Sequence, residues 1–166
     1  MTVVRPFAPH DTEACRRLWE ELTGWHREIF DSPEIGGADP GRAFDEHLAN
    51  VGPENLWVAE DEGAIVGLAG LVPGVEAELE PVVVAGDHRG RGIGRMLAGA
   101  VVGAARARGA RTLRVRPVGR NVDAVRFFHR LGFDVIFQLE LGMDLVDRDR
   151  EVWVPGEHVA GRDFRV

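Results

Sequence analysis

The sequence predicts an α+β layer fold: a mixed sheet of about seven strands with helices packed against it. Three observations point there. The apolar patterns run strand, two helices, three strands, helix, strand, helix, two strands, which is not the strict alternation of a doubly wound parallel sheet. A chain of 166 residues that is 45% apolar suits a single core. Finally, Val82-Val83-Val84 reads as a buried strand that opens through a glycine-rich turn straight into a helical pattern at residues 92–108.

In chain order, residues 2–7 form a short edge strand, because Pro6 has no N–H to give a central ladder. Asp11 or Thr12 can cap the next helix, whose apolar stripe is Ala14, Leu18, Trp19 and Leu22. Between residues 23 and 41 the pattern weakens under Gly24, Pro33, Gly36-Gly37 and Pro40-Gly41. This segment, with Trp25, His26, Ile29 and Phe30, is either a cover over a substrate or a plain link between helices. A second helical stretch lies around residues 44–50, followed by strands at 56–59 and 65–71 joined through Asp61-Glu62-Gly63.

The fourth strand, residues 76–84, alternates at first and ends continuously apolar, as if entering the middle of a sheet. Pro81 marks either an irregularity there or simply the strand's start. After the helix at 92–108, residues 111–116 alternate as a strand and Asn121 can cap a helix over 122–131. Residues 133–137 begin a last hairpin that runs through 139–145. Residues 1–166 read as one domain in which 146–166 are a C-terminal extension: an extra strand, a tail, or a dimer arm built on Trp153 and its flanking valines.

Formal charge is −7, from 20 basic and 27 acidic residues, and every basic residue is arginine. So acidic a surface argues against nucleic acid or an anionic membrane as partner and leaves any anion site local. No apolar stretch approaches the roughly 20 residues of a membrane span, and residues 1–9 lack a signal-peptide core, so a cytoplasmic protein is expected. Cys15, the single cysteine, sits in an amphipathic pattern and reads as a buried structural thiol rather than a nucleophile. His26, His47 and His88 have no metal-ligand spacing, and no metal is expected.

The turn is the most informative feature. A strand that ends in glycines can aim several backbone N–H groups and a helix N-terminus at one anion, so a phosphorylated ligand is expected. A dinucleotide fingerprint would require an acidic residue about 20 positions later, where Arg108 to Arg111 stand, and a P-loop requires a lysine that the chain lacks. Arg89-Gly90-Arg91-Gly92-Ile93-Gly94 instead resembles the R/Q-x-x-G-x-G/A motif that follows the fourth strand in the GNAT superfamily of N-acetyltransferases. Asn121, Ala124, the aromatic pair Phe127-Phe128 and the closing Gly132-Phe133 are similar to that family's second signature.

The resemblance implies a mostly antiparallel sheet splayed between its fourth and fifth strands, and acetyl-CoA as cosubstrate. Backbone amides of Arg89, Gly90, Arg91, Gly92, Ile93 and Gly94 would hold the pyrophosphate. Main-chain groups of Val82 and Val84 would pair with the pantetheine arm, and a bulge amide near Val83 would polarise the thioester carbonyl. Asn121 would touch the pantetheine, serve as N-cap, or do both, while Ala124, Phe127 and Phe128 would line the cofactor wall.

Acyl transfer to an amine needs that amine neutral, and a carboxylate can take its proton. Glu80 is the first candidate because family members often carry an acid there. Glu78, on the same face, is the reserve, and mutual repulsion within the pair could raise one pKa; the alternative is a solvated strand face. The family's usual general acid is a tyrosine at the position of Phe128, and this chain has no tyrosine. Water, His129 or the substrate's own proton would have to serve.

His88 is either a turn residue or a phosphate contact. Asp39, Asp45 and Glu46 are candidates to hold a cationic acceptor. The expected activity is acetyl transfer from acetyl-CoA to a primary amine, by direct attack in a ternary complex. The acceptor would be a small molecule or a protein amine, and a homodimer is possible. The alternative is a non-catalytic acyl-CoA-binding protein.

Overall fold

Five strands, β1 (Val3–Pro6), β2 (Leu56–Asp61), β3 (Ala64–Val72), β4 (Glu76–Val84) and β5 (Thr112–Arg114), lie side by side in that order in a computed structural model that describes residues 1–143, 145 and 155–165. Neighbours from β1 to β4 are antiparallel, and β5 joins β4 in parallel. The chain divides into two compact units, Met1–Val115 and Arg116–Val166. The first holds this sheet with helices α1 (Thr12–Phe30), α2 (Pro40–Val51) and α3 (Ile93–Ala107).

Side-chain alternation assigns the helices to two faces. The row Val58, Leu68 and Val83 crosses three strands and is buried with Cys15 and Leu18 of α1 and Phe44 of α2. The adjoining row, Ala59, Gly67 and Val84, faces α3, since a Cβ on Gly67 would lie 2.8 Å from Leu97 Cδ1.

The fourth strand is irregular where Pro81 hinted. Leu79 pairs with Leu71 and Val82 with Ala69, so Glu80 and Pro81 together oppose Gly70. The peptide bond between them is cis. A bulge suits proline, which has no N–H for the ladder. The irregularity therefore lies before Val83, which pairs in register with Leu68. The extra residue also changes the strand's phase: Ala77 lines a depression with Leu71 and Ala105 of α3, whereas Val83 packs among residues of α1 and α2. Registered pairing of β4 with β5 covers only Glu76, Ala77 and Glu78, against Thr112, Leu113 and Arg114. The two strands thus share a short parallel start, the splay that was expected.

Several boundaries differ from the sequence reading. Helix α1 continues to Phe30 through the weakened pattern, with the Thr23 hydroxyl bonded to Trp19 O, and stops at Asp31 in the left-handed region (φ 48). Helix α2 begins at Pro40 rather than near residue 44, because Asp39 caps it by accepting from Arg42 N–H and proline suits the first helical position. Strand β5 is shorter than residues 111–116.

In the second unit, α4 (Val122–Arg130) forms as expected. The hairpin expected over residues 133–145 is not a strand pair: 133–143 carry no strand, and Val135, Ile136 and Phe137 are exposed. Alternation becomes a strand only where a neighbour completes the ladder. Among the described residues of this unit the pairing is instead β6 (Pro155–Val159) with β7 (Arg162–Arg165). The seven strands among the described residues are therefore five in the sheet and two in this hairpin. Trp153 lies outside the described residues.

Gly70 makes the bulge possible, because a Cβ there would sit 2.3 Å from the Glu80 carbonyl oxygen. Gly70→Ala is expected to lose about 1–3 kcal/mol in urea unfolding. Gly99→Ala, on α3 with open space around the added methyl, should gain about 0.5–1 kcal/mol. Equal effects at the two positions would refute the bulge packing.

Candidate active site

β4 ends at Val84, and the chain passes through a 3-10 turn at Gly86–His88 before α3 starts. Gly90 and Gly92 sit at φ 76 and 83, conformations that other residues adopt only with strain. A Cβ on either would meet nothing within 4 Å. Packing therefore does not select these glycines; backbone conformation does, and the space beside them stays open. Gly92 caps α3 with no side chain, and the first helical bond runs from Met96 N–H to Gly92 O. The amides of Ile93, Gly94 and Arg95 accordingly project from the first turn with the positive end of the helix dipole. This arrangement suits an anionic group such as a pyrophosphate.

The loop's arginines are partly engaged within the protein. Arg89 Nε donates to Val84 O at 3.0 Å, and its guanidinium lies 3.9 Å over the ring of Trp25. Its Nη2 reaches Glu21 Oε1 at 3.4 Å, and the same oxygen accepts from Gly86 N–H at 2.7 Å. Arg91 Nη2 donates to Asp87 O at 2.9 Å, and His88 Nδ1 is 2.6 Å from Asp87 Oδ1.

On the other side of β4, Glu80 is exposed at the bulge and Glu78 is half-buried. His47 of α2 approaches Glu80, a neighbour that sequence reasoning missed. Burial lowers the His47 pKa, while the charge and the main chain of Glu80 oppose that shift. The His47 ring packs 5.1 Å from that of Trp19, and its Nε2 is buried without a hydrogen-bond partner among the described residues. Its position three residues after the buried Phe44, on the inward stripe of α2, was the available signal.

Other candidates have structural partners. Asp39 caps α2, Asp45 binds the Arg16 guanidinium with Nε at 2.8 Å, and Glu46 is 3.3 Å from Arg42. Cys15 is fully buried, and burial pushes its thiol up to about 12, which suits a structural role. In the second unit, Asn121 Oδ1 accepts from Ala124 N–H at 3.1 Å and so caps α4. Phe128 is buried edge-on between Phe127 and Phe133, at 5.0 and 5.7 Å between ring centroids. His129 is exposed. Among the described residues no helix is long and apolar enough to cross a membrane, and no cluster of His, Cys, Asp or Glu side chains could hold a metal ion.

Burial holds both His47 and His26 below the ordinary histidine value of about 6.5. The unfolded chain therefore takes up these protons first as pH falls. Their effect is absent well above about pH 6.5 and removes stability below it. Between about pH 7.5 and about pH 5.5, the urea midpoint of His47→Gln is expected to fall less than that of the wild type. An identical fall would contradict a half-buried, neutral His47.

Comparison with known proteins agrees with this geometry. Residues 16–133 match the model of the Acetyltransferase (GNAT) family. An uncharacterized protein of Mycobacterium leprae is 31% identical over 140 residues, covering 81% of this chain, which spans only 35% of that relative's length. Among solved structures, a transcriptional regulator from Bacillus halodurans superposes with a TM-score of 0.64 at 26% identity, over 87% of this chain and all of that one. A GNAT-family acetyltransferase from Staphylococcus aureus superposes with a TM-score of 0.69 at 16% identity, over 90% and 94% of the two chains. With a family match over most of its length and a sheet, glycine loop and helix in the expected order, the chain belongs to the GNAT family of acetyltransferases.

Proposed function

We propose that the protein is an acetyl-CoA-dependent N-acetyltransferase that transfers directly to a primary amine in a ternary complex. The observation that carries this reading is the bare N-terminus of α3 behind Gly90 and Gly92, at the end of a strand whose β5 pairing stops at Glu78. Amides of residues 90–94 would hold the pyrophosphate, the Arg89 N–H expected to join them being bonded to Gly86 O at 3.3 Å, and Val82 and Val84 would offer main-chain groups to the pantetheine arm. The assignment of Asn121, Ala124, Phe127 and Phe128 to the cofactor rests on the motif they form in the sequence. Acetyl-CoA, when bound, supplies a thioester carbon that accepts the amine while the thiol departs.

The residues of the chain then have defined tasks. The Val83 N–H, expected to polarise the acyl oxygen, faces Leu68 in the β3 ladder, because Ala85 N–H donates to Val66 O and bonded pairs alternate; the N–H of Val82 or Val84, on the edge away from β3, would polarise that oxygen instead. Glu80, directly or through one water, would take the proton that the ammonium must lose before attack, with Glu78 in reserve. No tyrosine is available to protonate the departing thiolate, so solvent does so. A thiol pKa on the order of 8–9 makes that group able to leave without a dedicated acid. The net charge of −7 favours a small cationic amine over a protein amine, and a cytoplasmic location is consistent with both.

A second reading, a non-catalytic acyl-CoA-binding protein, is favoured by one observation: Phe128 stands where a proton donor is usual, and it is buried among aromatics. Glu80→Gln separates the two. Direct transfer predicts that thiol release with a turned-over amine falls about 100- to 1,000-fold at unchanged acetyl-CoA affinity. Tight acetyl-CoA binding, with no thiol release from the wild type across a broad amine panel, would favour the binding protein.

A further inference from the structure

We propose that the second half of α1 positions the cofactor loop, with Glu21 and Trp25 holding Arg89 and Arg89 holding the loop, so that Arg89 acts as a positioning residue rather than as an anion ligand. The inference rests on the reading of that loop as the acetyl-CoA site. Glu21 and Trp25 are one helical turn apart and so share a face of α1. From that face, one carboxylate oxygen of Glu21 takes Gly86 N–H at 2.7 Å and approaches Arg89 Nη2 at 3.4 Å.

The flat face of the guanidinium lies on Trp25 at 3.9 Å, and its Nε edge is bonded to Val84 O at 3.0 Å. Arg89 thereby ties the last residue of β4 to the loop's far side, and Glu21 fixes the turn between them. This is a demanding use of arginine. Stacking needs the plane of the cation, and the bond to Val84 needs Nε, neither of which lysine offers.

The loop these contacts brace contains the two left-handed glycines, the residues with the most conformational freedom to lose when a ligand is held. Restraining the loop beforehand lowers the ordering cost of binding. The contacts leave the open amides of the α3 N-terminus untouched, which separates holding the loop from holding the anion.

The distinction is measurable in the full-length protein by amide hydrogen exchange of residues 85–92 without ligand, and by titration with acetyl-CoA. Trp25→Leu and Arg89→Lys are each expected to speed exchange in the loop and to weaken acetyl-CoA about three- to tenfold, with the double variant no worse than the weaker single. Trp25→Phe, which keeps an aromatic face, should restore most of both and guards against loss of folding. An Arg89→Lys protein that keeps wild-type exchange and affinity would overturn the proposal, as would Trp25→Leu with unchanged loop exchange. Absence of acetyl-CoA binding in the wild type would overturn the cofactor reading alone, since the exchange measurement still decides whether α1 braces the loop.

Discussion

Glu80 and Pro81 stand opposite Gly70 alone, and this two-against-one register reverses the side of the sheet that each later residue of β4 faces. Before the bulge, Ala77 belongs with α3; after it, Val83 belongs with α1 and α2. The reversal leaves Glu80 at the seam, exposed and beside His47, while Val82 to Val84 continue to the glycine loop. Gly70 is the constraint beneath it, because no side chain fits where the Glu80 carbonyl lies. Candidate base, candidate acyl-oxygen donor and anion loop therefore fall along a single strand in that order.

Helix α1 links the two ends of this arrangement. Through Trp19 it packs on His47, next to Glu80; through Glu21 and Trp25 it meets Gly86 and Arg89 of the loop. Its N-terminal end is itself anchored: Asp11 accepts two bonds from the Arg5 guanidinium and one from Ala8 N–H, which holds its carboxyl below the usual range. The buried Cys15 and Leu18 complete its inward face. One helix thus supports both the proton-handling side and the anion-holding side of the proposed site.

Local chemistry was legible in the sequence, and long-range geometry less so. The strand, loop and helix from Glu76 to Ala107 form one continuous stretch in which glycines and valines each have a local reason, and they were read in place. Asn121 was likewise legible as a cap. Pro81 announced an irregularity, yet the partner that permits it, Gly70, looked like any strand residue until the register showed what it faces. The reach of α1 to Phe30 was hidden by Gly24 and by aromatics whose partners lie far along the chain, as Trp25 finds Arg89. His47 carried no motif, and its meaning arises only where it approaches Glu80 of β4. The apolar alternation after Phe133 shows the converse: a strand pattern without a strand.

In the proposed site, backbone amides between Arg89 and Arg95 hold the anionic part of acetyl-CoA. The most direct measurement is amide NMR of the full chain titrated with acetyl-CoA, with ATP as a control anion, on wild type and on Gly92→Val. Saturable shifts concentrated at those amides are expected with acetyl-CoA, with little response to ATP and loss of the response in Gly92→Val. Saturable binding whose shifts lie elsewhere and survive that substitution, or no binding by a folded wild type, would contradict it.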